Sequence, residues 1–153
     1  MAAMMTDAQI ESVLRELFRS QRYAVLATDS HGQPFTSLMA FAVAGDLGQL
    51  VVLTERAARK FANLTANRRV ALLIDNRENK GSDTQESVAV TAIGEAEELD
   101  PVAGATLLQL FLARHPYLAT FAASPSCAIV GVKINAYRLV SRFQEVAEWR
   151  IRS

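Results

Sequence analysis

The sequence predicts a mainly β domain with helices (α+β), in which a small antiparallel β-barrel is decorated by helices. Short β-rich runs follow one another at hairpin spacing between Tyr23 and Thr54, and turn-forming residues separate them. Helical patterns stand between some later strands, without the regular strand–helix alternation of a parallel α/β fold. Because the 153 residues contain no linker or internal repeat, residues 1–153 are expected to form a single domain.

The N-terminal part is predicted to be one helix followed by a meander of strands. Thr6 and Gln9 have the spacing of a helix-capping box, and apolar residues then recur every three or four positions over Asp7 to Ser20. A compact apolar strand is expected over Tyr23 to Thr28. An Asp-Ser-His-Gly turn sequence follows, and a β pattern resumes from Phe35 to Ala44.

The central segment reads as a strand, a turn, a helix and a second strand. Leu50 to Thr54 is β-forming, Ala57 to Ala66 is helix-forming, and Arg69 to Asp75 is again β-rich. The first turn of a helix offers unpaired N–H groups and the positive end of its dipole to an anion. Arg59 and Lys60 would add a guanidinium fork and a point charge. The alternative is that both are solvated cations on the helix surface.

The remaining elements are a flexible exposed loop, a strand, two helices and a last strand or pair of strands. Their expected bounds are Asn76–Glu86, Val88–Leu99, Val102–Arg114, Pro116–Ala122 and Ala128–Leu139. Asp100 is the expected cap of the longer helix, with Pro101 at its first position. The tail adds Phe143, Val146 and Trp149.

Composition excludes several classes of protein. Sixteen basic and sixteen acidic residues give a formal net charge of zero, so the basic field of a general nucleic-acid binder is missing. No apolar run approaches the roughly 20 residues of a membrane span, and a cytoplasmic protein without membrane contact is expected. Cys127 is the single cysteine and is expected to be a small buried residue.

Hydrolytic and metal-dependent chemistry has few candidate residues. His31 lies in the predicted turn and His115 at a predicted helix end, so they form no ligand-spaced pair, and each is interpreted as a solvated or capping residue. Glu95 and Glu97 share a strand face, for which a solvated edge is a simpler account than an acid–base pair. No metal site is expected and no catalytic residue is assigned. Redox chemistry would therefore need a bound cofactor.

Four short motifs follow one another in a fixed order. They are Gly32-Gln33-Pro34-Phe35 leading a strand, Leu53-Thr54, Arg59-Lys60, and Asn67-Arg68-Arg69-Val70 opening the next strand. In this order they resemble the FMN-binding split β-barrel family, which includes pyridoxamine 5′-phosphate oxidase and the haem-utilisation flavin-type proteins. The resemblance extends over Tyr23 to Val140 and implies an antiparallel split β-barrel of the FMN-binding type.

The resemblance also implies a cofactor site between two copies of the chain. It puts Arg59 and Lys60 on the FMN phosphate, with Thr54 and the neighbouring backbone of Leu53 near the ribityl and phosphate end. The strand expected along the flavin ring comprises Ser37, Leu38, Met39, Ala40 and Phe41, for which a plain barrel-core role is the alternative. The family is typically homodimeric, and Trp149 is the candidate contribution from the second copy, with simple packing as its alternative.

An FMN-dependent oxidoreductase with a small-molecule substrate is the function that the resemblance implies. Ser37 and Ala42 stand where pyridoxamine phosphate oxidases carry arginine and lysine, which argues against pyridoxine phosphate as the substrate. Arg114-His115-Pro116 resembles the haem-utilisation branch, so a haem or tetrapyrrole binder on the same barrel is one alternative. A non-catalytic flavin-binding dimer is another, and a deazaflavin is a further alternative cofactor.

Overall fold

The computed structural model describes residues 4–141 and 145–151 of the chain. The described strands are β1 Tyr23–Ser30, β2 Gln33–Ala40, β3 Ala42–Val43, β4 Gln49–Glu55, β5 Arg69–Asp75, β6 Ala89–Leu99, β7 Cys127–Ser141 and β8 Glu145–Arg150. The described α-helices are α1 Asp7–Ser20, α2 Arg59–Ala66, α3 Asp83–Glu86, α4 Ala105–Arg114 and α5 Ala119–Ala122, and a 3-10 turn at Pro116–Leu118 joins α4 to α5.

The strands form one antiparallel sheet in the order β2-β1-β5-β6-β7-β4-β3, and β8 pairs with β7. The two ends of this order, β2 and β3, are consecutive in the chain, and β2 also contacts β4. The sheet therefore curls into a barrel that stays open between β2 and β4. This confirms the predicted antiparallel barrel with helices around it.

The local signals of the N-terminal half specify their elements. Thr6 and Gln9 form both hydrogen bonds of the capping box at the start of α1. His31 and Gly32 have φ values of 51° and 86°, so they supply the left-handed backbone that joins β1 to β2. The predicted β pattern from Phe35 to Ala44 is interrupted at Phe41, which separates β2 from β3.

The core consists of an inner cluster and an outer cluster on the two sides of β4. The inner cluster fills the barrel, and α1 contributes Leu14, Leu17 and Phe18 to it. The outer cluster joins β3, β4 and β7 to Leu107 and Phe111 of α4. Since β4 is covered on both faces, its sequence is a continuous apolar run instead of an alternating one.

Three elements differ from their predicted bounds. The longer C-terminal helix begins at Ala105, because Asp100 Oδ1 accepts the N–H groups of Val102 and Ala103 in a separate turn. The predicted loop from Asn76 to Glu86 contains the short helix α3. The tail forms β8, whereas Phe143 lies outside the described residues.

Among the described residues, no helix is long and apolar enough to cross a membrane. Cys127 is buried, as expected of an unpaired apolar cysteine.

Candidate functional site

Three elements named in the sequence analysis converge at the open side of the barrel. β2 contacts β4, and α2 contacts β4 and β1. The Arg59 guanidinium lies over the ring of Phe35 in β2, 5.1 Å from its centroid. We call this place the junction, and define it by residues 37–41 at the end of β2, Leu53 and Thr54 of β4, and Arg59 and Lys60 of α2.

The start of α2 presents positive charge without a capping side chain. Ala58 stands at the N-cap and makes no side-chain hydrogen bond, so the first N–H groups of the helix keep their capacity to donate. Arg59 is exposed and Lys60 is half-buried. Within residues 4–141 and 145–151, no carboxylate lies within 4.0 Å of either side chain. The two cations and the helix dipole thus offer an anion an unneutralised positive site.

Leu53 and Thr54 end the buried run of β4. Both are buried, with 6% and 4% of their surface exposed. The Thr54 hydroxyl donates to Glu55 O at 3.3 Å, which leaves its own oxygen free to accept. The structure therefore brings Thr54 to the junction as a polar group at the end of an apolar strand.

The four residues at the end of β2 and Phe41, which follows them, differ in their exposure. Leu38 is 72% exposed, whereas Met39 is 7% exposed and packs in the inner cluster. Ser37 and Ala40 are half-buried. The Phe41 side chain is fully buried and meets the Phe18 ring edge to face at 6.1 Å. Side-chain contact with a ligand is thus open to Ser37, Leu38 and Ala40. The Phe41 backbone is engaged within the fold, because its N–H donates to Arg22 O and its carbonyl oxygen pairs with His115 Nε2.

Trp149 lies away from the junction of its own chain. It stands opposite Tyr137 in the β7–β8 pair, and the two rings stack with centroids 6.4 Å apart. It is partly buried against the inner cluster. A role for Trp149 in the site of a second copy stays a prediction.

A cleft of about 810 Å³, which we call the turn cleft, adjoins the junction. It lies between the β1–β2 turn and α2, and is lined by Asp29, Ser30, His31, Ala57, Arg59, Ala62, Asn63, Ala66 and Asn67. Asn63 is only 5% exposed, and its Nδ2 donates to Thr28 Oγ1 at 3.1 Å. Asp29 Oδ2 accepts the Gly32 N–H at 3.1 Å and the Asn67 amide at 3.4 Å. The cleft has no local signal in the sequence, because Asp29 and Asn63 are 34 positions apart.

His115 is fully buried, so of its two interpretations the solvated one was wrong and the capping one is confirmed. It ends α4 as the C-cap residue and packs against the Phe111 ring at 4.7 Å. Its Nε2 lies 2.8 Å from Phe41 O and its Nδ1 lies 3.4 Å from the Tyr117 hydroxyl. Burial lowers the pKa of the imidazole below its ordinary value of 6.5. The hydrogen bond with Phe41 O opposes this change, and the nearby charges of Arg114 and Arg22 lower the pKa further.

Arg114 also has a structural role. Its guanidinium donates to Phe18 O and Gln21 O, both at 2.6 Å, and thereby ties α4 to the C-terminal end of α1. The neighbourhood of Arg114 and His115, which suggested haem, is thus occupied by contacts within the fold. Glu95 and Glu97 are both exposed on one face of β6, as predicted. This strand is not an edge of the sheet, however, because β5 and β7 pair with its two sides. In the described ranges, no group of three His, Cys, Asp or Glu residues could hold a metal ion.

The open barrel and its basic junction define the class of this protein as a split β-barrel. Residues 10–141 match the family model described as pyridoxamine 5′-phosphate oxidase. The chain therefore belongs to the pyridoxamine 5′-phosphate oxidase family.

Solved structures support the same fold. A heme binding protein from Mycobacterium smegmatis is similar with a TM-score of 0.82 and 19% identity, over 97% of this chain and 60% of that one. This chain thus spans less than two thirds of that protein. A protein from Clostridium acetobutylicum related to general stress protein 26, of the pyridoxinephosphate oxidase family, has a TM-score of 0.74 and 17% identity, over 95% and 97%. An FAD-binding protein from Mesorhizobium loti has a TM-score of 0.64 and 17% identity, over 90% of each chain. The search of curated proteins found no match.

Proposed function

We propose that this protein binds FMN and uses it as an oxidoreductase on a small-molecule substrate. The observation that carries the proposal is the pair Arg59 and Lys60 at the uncapped start of α2, beside the open β2–β4 side of a barrel of this family. The similarity to an FAD-binding protein supports a flavin as the ligand class.

The donor set at the junction fits a phosphate ester. A phosphate dianion accepts hydrogen bonds from a guanidinium, an ammonium and helix N–H groups, and Arg59, Lys60 and the first turn of α2 supply these three kinds of donor. The Leu53 side chain packs in the outer cluster, so its backbone would lie near the ribityl and phosphate end. Ser37 and Ala40 would lie toward the less polar part of the ligand. When bound, FMN would supply the electron transfer, and the chain would hold its phosphate and limit the access of water to its ring.

A homodimer is part of this proposal, and an apolar row on the outer face of the sheet supports it. Leu38 is 72% exposed and stands opposite Val25, which in turn stands opposite Leu73. Val25 and Leu73 are half-buried, so Leu38 is the exposed member of the row. An exposed apolar surface is typical of an interaction site. We infer that a second copy covers this row and contributes Trp149 to the junction.

Haem is the weaker alternative for this chain. The motif that suggested haem contains His115, which is fully buried. One ring nitrogen of His115 pairs with Phe41 O and the other lies near the Tyr117 hydroxyl. An iron ligand at this position would first have to give up the backbone contact.

The first experiment is the visible spectrum of the purified protein before and after FMN is added and unbound ligand is removed. Retained flavin bands are expected. In a fluorescence titration, Arg59→Ala with Lys60→Ala should weaken FMN binding by about 100-fold, because two charge-assisted contacts are lost. The control is Arg15→Ala with Arg19→Ala on the exposed face of α1, which removes the same charge. Equal FMN affinity in the two double variants would contradict the phosphate assignment.

Catalysis needs a separate test, since a non-catalytic flavin-binding dimer would also retain FMN in the first experiment. The bound flavin is reduced by a nicotinamide donor or by dithionite, and its reoxidation by candidate acceptors is compared with that of free FMN. Faster reoxidation on the protein supports an oxidoreductase. A rate equal to that of free flavin with every acceptor would favour a non-catalytic binder.

A further inference from the structure

We propose that the turn cleft is a second subsite, which binds the adenylate half of a dinucleotide, so that this protein holds FAD more tightly than FMN. The inference rests on the proposed function, because it requires a flavin phosphate at Arg59 and Lys60. It assigns a ligand to a cleft that the FMN site does not use.

The turn cleft begins where a flavin phosphate would end. Arg59 lines the cleft and also lies over Phe35 at the junction. From Arg59 the cleft follows one face of α2 to Ala66, which corresponds to about 10 Å along the helix axis. Its volume of about 810 Å³ is in the range of small-molecule sites. A ligand extended beyond its first phosphate would pass Arg59 directly into this space.

Two oxygen atoms in the lining of the cleft are available to accept hydrogen bonds. Asn63 is 95% buried, its Nδ2 is used by Thr28 Oγ1, and its Oδ1 receives no hydrogen bond from any described residue. Asp29 Oδ2 is occupied by the turn, whereas Oδ1 of the same carboxylate has no donor in the described part of the chain. Both free oxygens belong to residues that line the cleft. Neither oxygen is sealed from solvent, since no described side-chain oxygen or nitrogen is both buried and unpaired. Both can therefore accept from a donor that enters the cleft.

This pattern matches an adenylate group. Its phosphate would meet the Arg59 guanidinium, its ribose hydroxyls would donate to the Asp29 carboxylate, and its amino group could donate to Asn63 Oδ1. The exposed imidazole of His31 at the rim offers a flat surface for the base. The Asp29 carboxylate disfavours a ligand that continues beyond the phosphate as an anionic chain, because like charges repel. The residues that line the turn cleft therefore favour a ligand whose phosphate is followed by a nucleoside over one whose phosphate is followed by an acidic chain.

The test compares the affinity of the full chain for FAD and for FMN in the same titration. The wild-type protein should bind FAD at least about tenfold more tightly, as expected from one or two added hydrogen bonds. Ala66→Leu places a larger side chain at the end of the cleft that is farther from Arg59. This variant should bring the two affinities to near equality while leaving the FMN affinity unchanged.

The matched control is Thr65→Leu, which introduces the same side chain at an exposed neighbour outside the cleft. It should retain the wild-type preference for FAD. Asp29→Asn keeps an oxygen for the Gly32 N–H but removes the charge, and it should weaken FAD binding without weakening FMN binding.

The outcomes separate this inference from the proposed function. If FMN binds and FAD binds no more tightly, the adenylate subsite is refuted and the FMN site stands. If Ala66→Leu and Thr65→Leu lower FAD affinity equally, the cleft is refuted as the cause of the preference. If neither flavin binds the wild-type protein, both the proposed function and the adenylate subsite are refuted.

Discussion

The imidazole Nε2 of His115 lies 2.8 Å from the carbonyl oxygen of Phe41, 74 positions earlier in the chain. The Phe41 N–H donates to Arg22 O at 3.3 Å, and the Arg114 guanidinium lies 5.6 Å from the centre of the Phe41 ring. Phe41 is the residue between β2 and β3. The end of the candidate flavin-facing strand is thus fixed from outside the barrel by the last residues of α4.

Loss of the His115 side chain should destabilise the fold. His115→Leu keeps an apolar volume but leaves the buried Phe41 carbonyl without its hydrogen bond, so the free energy of unfolding should fall by about 1–3 kcal/mol. Chemical denaturation measures this change. The control is His31→Asn at an exposed turn. Asparagine tolerates the left-handed backbone of this position, so the free energy of unfolding should change by less than about 0.5 kcal/mol. Equal stability of the two variants would show that the His115 contact contributes little.

The same histidine should make stability depend on pH. Because the pKa of His115 is lower in the folded protein than its ordinary value of 6.5, the unfolded chain binds more protons between these two values. The contribution of His115 is complete above about pH 6.5 and declines as the pH falls from there toward the folded pKa. Denaturation of the wild type and of His115→Leu at about pH 7.5 and about pH 5.5 should give a smaller decrease for the variant. Identical decreases would mean that His115 does not titrate differently on folding.

Gly94 should not tolerate a side chain. A register shift occurs between Ile93 and Gly94, and a Cβ built on Gly94 would lie 2.2 Å from the backbone oxygen of Lys133. Gly94→Ala must therefore displace β6 from β7, at a cost of about 1–3 kcal/mol in the free energy of unfolding. Gly81→Ala is the control, since its new Cβ meets nothing within 4 Å. A Gly94→Ala protein as stable as Gly81→Ala would contradict this account of the bulge.

The outer row of the sheet should control the oligomeric state. Leu38→Glu introduces a charge into the proposed apolar interface, so a dimeric wild type should become monomeric in sedimentation or light-scattering measurements. Val102→Glu changes an aliphatic residue that is 87% exposed in the turn before α4, and it should leave the mass unchanged. A monomeric wild type, or a Leu38→Glu variant that stays dimeric, would refute the proposed interface.

Sequence reasoning succeeded where the signal was local. Thr6 and Gln9 determine the start of α1 with groups three residues apart, and the His31-Gly32 turn needs only the backbone freedom of its own residues. Asp100 and Pro101 were misleading, because the same cap chemistry also stabilises a single turn. The helix itself starts only at Ala105, where Leu107 and Phe111 begin to pack on the outer cluster.

Sequence patterns did not predict which residues are buried or paired by contacts between distant parts of the chain. His115 follows a predicted helix end, where most histidines would be exposed, and only the packing of α4 against β3 and β4 encloses it. Its neighbours Phe111 and Tyr117 were the available signal. Likewise, residues Glu145–Arg150 form the strand β8 because they pair with β7. The basic pair was found because both cations follow a helix start, whereas the turn cleft combines a hairpin turn with a helix distant in sequence.

Trp149 gives the protein a built-in optical probe. It is the single tryptophan of the sequence, so all indole emission comes from one position in the β7–β8 hairpin. The ring beneath it belongs to Tyr137, whose hydroxyl donates to Leu47 O at 2.6 Å. Changes in that emission therefore report on the hairpin and on the turn before β4. Energy transfer from Trp149 to a bound flavin would measure the distance between this hairpin and the cofactor in solution.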